Sequence, residues 1–480
     1  MQDLLDSCYS DYRDRRAGHW DAVASHMDHM FQGGRYYHKR LEEIYRFLVP
    51  RGQKVLEIGC GNGELLASLE PSKGVGIDFS SQMIERAKRR YPRLTFFLMD
   101  AHELAIDDTF DVIILSDIVD DLYDVLTVLR QLKKVSNPRT RIIINSYSRL
   151  WELPLKLARL LKLSRPTLTQ NWLTVEDIRN LLFLADIEVV HKTEEILVPV
   201  HIPFAAAFFN RFLVKIWPFN NLALTNFIIA RPVSRVSIQT DQPMVSVIVP
   251  ARNEAGNIPN IIARVPEMGS GTELVFVEGF SSDDTYEEIE KAISAHPERR
   301  CKLLKQPGKG KGDAVRAGFA ASSGDVLMIL DADLTVAPED LKRFYEVLIL
   351  NKAEFVNGVR LVYPMEERSM YFFNLLGNKF FSIVFSWIIG QPTKDTLCGT
   401  KVLWRSEYES IVANRAYFGD FDPFGDFDLL LGAAKLNLKI VELPVRYRKR
   451  VYGMTNIQRW KHGLLLLRMS IFAAKRIKFI

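Results

Sequence analysis

Gly59-Cys60-Gly61-Asn62-Gly63 follows the run Val55-Leu56-Glu57-Ile58, and Asp331-Ala332-Asp333 follows the apolar run 326–330. A glycine loop after a strand lets a ligand lie against backbone at a helix N-terminus. Two carboxylates spaced two residues apart share a face in extended chain and suit a divalent cation that carries a diphosphate. Each stretch implies its own ligand, so the chain reads as two active sites in one polypeptide.

Each stretch needs a scaffold, and the pattern around both supplies one. Strand and helix signals alternate at 54–58, 65–69, 74–78, 81–90, 95–99, 110–115, 122–134 and 141–145. Leucine-rich and capped helices follow at 151–163 and 174–184, and a closing strand at 226–230. A second alternation covers 245–249, 257–264, 273–277, 284–293, 302–305, 313–321, 326–330, 339–350 and 354–359. Such alternation predicts, in each half, a mostly parallel sheet covered by helices. The expected organisation is an N-terminal domain over 1–231, a polar, proline-flanked linker over 232–243, a second domain over 244–455 and a basic amphipathic segment over 456–480.

With 480 residues, 48% hydrophobic and 25% charged, the chain has the composition of a folded multidomain protein. A net charge of +5 is a small excess for this length and argues against a nucleic-acid partner. The basic residues that do cluster are C-terminal. Arg446-Tyr447-Arg448-Lys449-Arg450 is followed by Arg459, Lys461, Arg468, Lys475, Arg476 and Lys478 among Leu, Ile and Phe, which suits an anionic membrane surface. The apolar stretch 371–390 is broken by Asn374, Asn378 and Lys379, so it reads as an interfacial or core helix. Four separated cysteines without metal-ligand spacing, and no apolar N-terminal leader, predict a cytoplasmic protein peripherally associated with the membrane face.

The stretches VLEIGCGNGELLASL, GVGIDFSSQMIERAKRRYP and Asp100-Ala101 resemble class I S-adenosylmethionine-dependent methyltransferases. That resemblance implies a Rossmann-like fold with Glu57, Gly59, Gly61 and Gly63 near the methionine moiety, Asp78 on the ribose, and Asp100 with Ala101 beside the adenine. An acid 21 residues beyond Glu57 also suits an NAD ribose, which keeps a dehydrogenase as an alternative. Methyl transfer to a hydroxyl needs a base, and His38, His102, Asp117, Asp120 and Asp121 are the candidates. For the acids from Asp117 to Asp124, an exposed acidic patch is the expected reading.

The stretches VSVIVPARNE, FVEGFSSDDT, KGKGDAVRAGFAASSGDVLMILDADLT and GVR resemble family 2 glycosyltransferases of the GT-A fold. RYRKRVYGMTNI resembles the branch containing dolichyl-phosphate mannose and glucose synthases. The resemblance implies that Asp331 and Asp333 hold Mg²⁺ or Mn²⁺ on the diphosphate of a nucleotide sugar. It places Pro250, Ala251, Asn253, Glu254, Glu278 and Asp283 around the nucleoside, with Lys309, Lys311 and Asp313 near the base or phosphates. Glu278-Gly279 departs from the two successive acids usual there, so no base preference carries over.

A lipid phosphate, with its second pKa near ~6, is already ionised at neutral pH and needs cations in place of a base. Arg360, Arg450 and Thr455 occupy the corresponding family positions. A hydroxyl acceptor would need a carboxylate, and Asp426 or Asp428 stands in the corresponding region. Cys398 reads as a small buried residue, and Asp395 as a lower-ranked site candidate. The expectation is a methyltransferase fused to a metal-dependent, inverting glycosyltransferase that loads polyprenyl phosphate. The alternatives are a transferase to a sugar or protein hydroxyl, and a membrane-docked binding or scaffold protein.

Overall fold

In the computed structural model the described residues are 2–26, 34–161, 168–233, 242–363, 372–417, 427–450, 452–453 and 459–480. The chain divides into two compact units, Met1–Ser234 with Phe479–Ile480, and Arg235–Lys478.

The first unit holds seven strands: β1 (Lys54–Ile58), β2 (Lys73–Asp78), β3 (Thr95–Leu98), β4 (Phe110–Ser116), β5 (Ser136–Tyr147), β6 (Ile187–Glu195) and β7 (Thr225–Pro232). They are ordered β3-β2-β1-β4-β5-β7-β6. The first five in that order run parallel, and β7 pairs antiparallel with both β5 and β6. Interior strands such as β4 (FDVIILS) are apolar almost throughout because helices cover both faces of the sheet.

The second unit repeats the plan with β8 (Val245–Ala251), β9 (Thr272–Glu278), β10 (Arg300–Lys305), β11 (Val326–Ile329), β12 (Phe355–Val359), β13 (Lys401–Trp404) and β14 (Ile440–Pro444). Its order is β10-β9-β8-β11-β13-β12-β14, with β13 antiparallel to both its neighbours.

Both sheets are thus α/β and mostly parallel, with antiparallel strands that the pattern did not predict. Strand β6 escapes a period-two reading because its register shifts between Val189 and His191. Strand β13 has four residues, too few to show a period. The Thr174 start signal is realised as a capping box, in which Thr174 and Asp177 satisfy each other's backbone N–H. The stretch 371–390 contains the helix Phe372–Ile389. Among the described residues no helix is long and apolar enough to cross a membrane.

Candidate active sites

The first site forms where β1 and β2 end. Gly59, Gly61 and Gly63 all have positive φ, at 72°, 50° and 75°. The loop is therefore built from conformations that side chains resist. A Cβ at Gly59 would stand 2.4 Å from Ile118 Cδ1, whereas one at Gly61 would meet nothing within 4 Å. Gly59 is thus required by packing, and Gly61 leaves bare backbone facing open space.

Asp78 is fixed by that loop: its Oδ2 accepts from Gly61 N–H at 2.9 Å and its Oδ1 from Ser80 N–H at 2.8 Å. Burial nevertheless pushes it up to about 6, against those bonds. Glu57 is buried, accepts from Leu66 N–H at 3.1 Å, and burial raises it to about 8. Two buried carboxyls short of donors suit a ligand that brings hydroxyls and positive charge. These buried acceptors therefore fit S-adenosylmethionine.

Asp100 is in the opposite state. Against the burial that would raise it, bonds from His102 and Tyr9 hold it at about 2. The backbone N–H of Asp124 donates to His102 Nε2 at 3.1 Å, so Nδ1 carries the proton toward Asp100. His102 has no nitrogen left to act as a base. Ala101 beside it is buried.

Tyr9 belongs to the helix Gln2–His26, whose part in the site sequence reasoning missed. Tyr9 reaches Asp100, Arg16 and Trp20 reach Asp121, and Asp21 accepts from Ser80 Oγ and Gln82 N–H. The spacing of Tyr9, Tyr12, Arg16 and Trp20 puts one helix face over the ends of β2, β3 and β4, a stripe legible in the sequence.

The acids after β4 do not form the expected exposed patch. Asp120 is 1% exposed and raised to about 7 by burial, with its Oδ1 unpartnered. Asp121 is tied to Arg16 and Trp20, and Asp124 is exposed. Asp117, at φ 53°, accepts from Tyr37 Oη at 2.9 Å and from Asn145 Nδ2, which Tyr45 in turn orients. Burial lifts Asp117 to about 7 despite those bonds. The patch reading failed because sequence shows charge but not the packing of β4 beside β5. His38 is exposed.

The second site forms where β8, β9 and β11 end. Non-glycine residues with positive φ stand after each strand: Asn253 (58°), Phe280 (57°) and Leu334 (53°). Such strain persists only where neighbours enforce it. Here Asn253 Oδ1 accepts from Ser282 N–H, Glu278 from Ser281 N–H, and Asp283 from Thr285 and Ala255 N–H. Pro250 and Ala251 complete β8 beneath them. Sequence-named Asn253, Glu254, Glu278 and Asp283 are therefore gathered at one strand-end cluster.

Beyond β11 the chain turns at once, so strand alternation does not bring Asp331 and Asp333 together. Their positions are set by partners. Lys311 Nζ lies 2.7 Å from Asp331, and Arg450 Nη2 lies 2.7 Å from Asp333, whose Oδ1 accepts from Thr335. Burial would raise Asp331, but Lys311, then Lys401 and Arg360, hold it below the usual range. A Cβ at Gly399 would stand 2.0 Å from Asp331 Oδ2, so only glycine leaves room for that carboxylate. Among the described residues no three His, Cys, Asp or Glu gather as a metal cage. Two hard carboxylates fit a cation that takes its remaining ligands from a diphosphate and water.

Arg450 also donates to Glu254 Oε1 at 3.0 Å, so it spans the ends of β8 and β11. Burial raises Glu254 to about 7, with Arg450 opposing. Tyr452 Oη reaches Asp283, and Tyr452 covers Gly256. Arg360 forks onto Asp395 at 2.7 and 2.8 Å and lies over the Tyr447 ring. Asp395, ranked low from sequence, is therefore what orients Arg360. Asp313 accepts from Gly308 N–H and closes the glycine loop, while Lys309 is exposed.

Asp428 accepts from Arg415. Asp426 and Thr455 lie outside the described residues. Cys398 is buried against Gly358, which pushes its thiol up to about 11. A cavity of about 450 Å³ lined by Arg264, Ala337, Glu339, Asp340, Arg343, Tyr363, Arg446 and Arg448 lies beyond Thr335, whose carbonyl accepts from Arg448 N–H; Glu339 pairs with Arg264 and Asp340 with Arg343.

The sequence profile of the family "Glycosyl transferase family 2" matches residues 246–402, and that of "Methyltransferase domain" matches 50–183. The dolichol-phosphate mannosyltransferase of Pyrococcus furiosus is 29% identical over 45% of this chain and 59% of its own length. The undecaprenyl-phosphate 4-deoxy-4-formamido-L-arabinose transferase of Pectobacterium carotovorum is 34% identical over 44% of this chain and 61% of its own. The chain thus spans about three-fifths of the length of these relatives. A solved S-adenosylmethionine-dependent methyltransferase of Thermotoga maritima is 14% identical over 44% of this chain and 97% of its own, at a TM-score of 0.36. The chain carries a methyltransferase domain followed by a family 2 glycosyltransferase domain.

Proposed function

We propose that the second unit transfers a hexose from a nucleotide sugar, with inversion, to polyprenyl phosphate at a membrane surface, and that the first methylates a hydroxyl in the same glycan pathway. The observation that carries the first half is the pairing of Lys311 with Asp331 and of Arg450 with Asp333. Acids and cations alternate there, as a diphosphate and a second phosphate would require. The polyprenyl-phosphate relatives support the acceptor class.

Asp331 and Asp333 would hold Mg²⁺ or Mn²⁺, whose charge offsets the negative charge that develops on the departing nucleoside diphosphate. Lys311 lies close enough to Asp331 to turn from that carboxylate to a phosphate oxygen. Asn253, Glu254, Glu278 and Asp283 would surround the nucleoside. The fork on Asp395 leaves the Arg360 guanidinium fixed in orientation, and Arg450 lies between the carboxylates of Glu254 and Asp333. Both would draw an acceptor phosphate into line. That phosphate is already ionised, so no side chain need remove a proton. The exposed Arg446 and Arg448 add positive charge beside this route.

For methyl transfer, Asp117 would accept the hydroxyl proton. Its carboxyl is raised to about 7, near the working pH, and Tyr37 and Asn145 fix its orientation.

The test is a thermal-shift panel of GDP- and UDP-sugars with Mn²⁺, run beside S-adenosylhomocysteine, followed by detergent partitioning of the labelled sugar product. Two independent shifts and a detergent-phase product support the reading. A water-phase product points to a hydroxyl acceptor, and no sugar-nucleotide consumption points to a binding protein.

A further inference from the structure

The helix Glu152–Leu160 of the first unit has no buried residue. Its inner side, Trp151 and Leu155, rests partly buried against the core. Its outer side should then be polar. Instead Leu150, Leu153, Leu157, Leu160 and Leu161 form a stripe at helical spacing, exposed by 64, 75, 56, 80 and 58%.

The stripe continues into a second segment. Trp151 Nε1 donates to the carbonyl of Leu222 at 2.9 Å, and Asn220 N–H donates to that of Ile216. This ties the helix to residues 204–222, where Phe204 is 94%, Phe208 56% and Trp217 78% exposed. Contiguous apolar surface of this kind marks an interaction face.

The charges around it identify the partner. The two segments 149–161 and 204–222 contain Arg149, Lys156, Arg159, Arg211 and Lys215 but one acid, Glu152. Lys215 is buried on Glu195 and Lys156 pairs with Glu152, so Arg149, Arg159 and Arg211 carry the positive excess beside the leucines and aromatics. Leucine and phenylalanine with a tryptophan at the rim, bordered by long basic side chains, is the composition of an element lying in a headgroup layer. A second copy of this chain would bring the same cations against each other.

We propose that residues 149–161 and 204–222 form a docking face by which the methyltransferase unit lies on a bilayer carrying anionic lipids. The unit would then take its methyl acceptor from the membrane surface. The inference is independent of the sugar acceptor and of the metal; within the face, Arg211 donates to the carbonyl of Phe479 and Phe212 packs on the Phe479 ring, so that corner is already occupied by the chain's own C-terminal residues.

Hydrogen exchange of the full chain with phosphatidylglycerol vesicles, with phosphatidylcholine vesicles and without lipid tests it. Exchange at 149–161 and 204–222 should slow by at least about fivefold with the anionic vesicles only. The triple variant Leu153→Ser, Leu157→Ser, Leu160→Ser should lose that slowing and keep its thermal shift with S-adenosylhomocysteine. Slowing confined to 459–478 overturns the proposal and leaves the C-terminal membrane reading intact. Strong protection of these segments already in the lipid-free sample also overturns it: dependence on protein concentration would identify a second copy as the occupant, and independence the rest of the chain.

Discussion

Asp78 and Asp331 both stand at the carboxyl end of a buried parallel strand, yet their surroundings push them in opposite directions. Burial leaves Asp78 at about 6 and Glu57 at about 8, with backbone N–H groups donating to both. Lys311, with Lys401 and Arg360, holds Asp331 low, and Arg360 does the same for Asp395. The first site thus lacks positive charge that a ligand can bring. The second carries cations of its own, as binding of a diphosphate demands. One strand-loop-helix plan accepts opposite ligands because the charged neighbours differ.

The hardest test of this contrast is Asp333→Asn. Sugar transfer should fall by about a thousandfold, with S-adenosylhomocysteine binding unchanged, because a carboxylate that would hold the cation offsetting the developing negative charge is lost. Transfer that stays at wild-type rate, measured with Mn²⁺ and again with chelator, would break the comparison.

The reciprocal change, Asp78→Ala, should weaken S-adenosylhomocysteine binding by about thirtyfold in calorimetry, as a buried acceptor for hydroxyls disappears. Nucleotide-sugar binding should not move.

The pH dependence should separate the units more finely. Folded-state values raised at Glu57 and Asp78 favour the protonated forms, so the stability they contribute is present below the ordinary carboxylate range. It is lost as pH climbs through about 6 and about 8. Depressed values at Asp331 and Asp395 contribute stability above the ordinary range, lost as pH falls below it. Hydrogen exchange corrected for its intrinsic pH dependence should show the unliganded first unit loosening from about pH 5 to about pH 8, and Glu57→Gln should flatten that trend. Glu254, raised to about 7, will temper the contrast in the second unit.

The smallest effect is expected at Tyr452→Phe. Its bond to Asp283 is exposed, so the KM for nucleotide sugar should change by no more than about twofold. A larger change would mean that Tyr452 touches the nucleoside itself.

Much of the scaffold was legible because it is local. Gly61 after β1 and the Asp-Ala-Asp after β11 sit where strand and helix signals put them, and the Thr174 capping box formed as its two residues imply. Antiparallel β13 was not legible, since four residues between irregular segments carry no period. Nor was the helix Gln2–His26 as part of a site: its stripe of Tyr9, Arg16 and Trp20 says that something is faced, but not what.

The order of residues alone determined which chemistries are on offer: glycines that free a backbone, acids in pairs, arginines in a basic run. Folding decided which of them meet. Arg450 reaches Asp333 across 117 positions, Tyr9 reaches Asp100 across 91, and Tyr37 reaches Asp117 across 80. A carboxyl's charge depends on the water removed from it and the cations brought to it, and both are consequences of packing between segments distant in the chain.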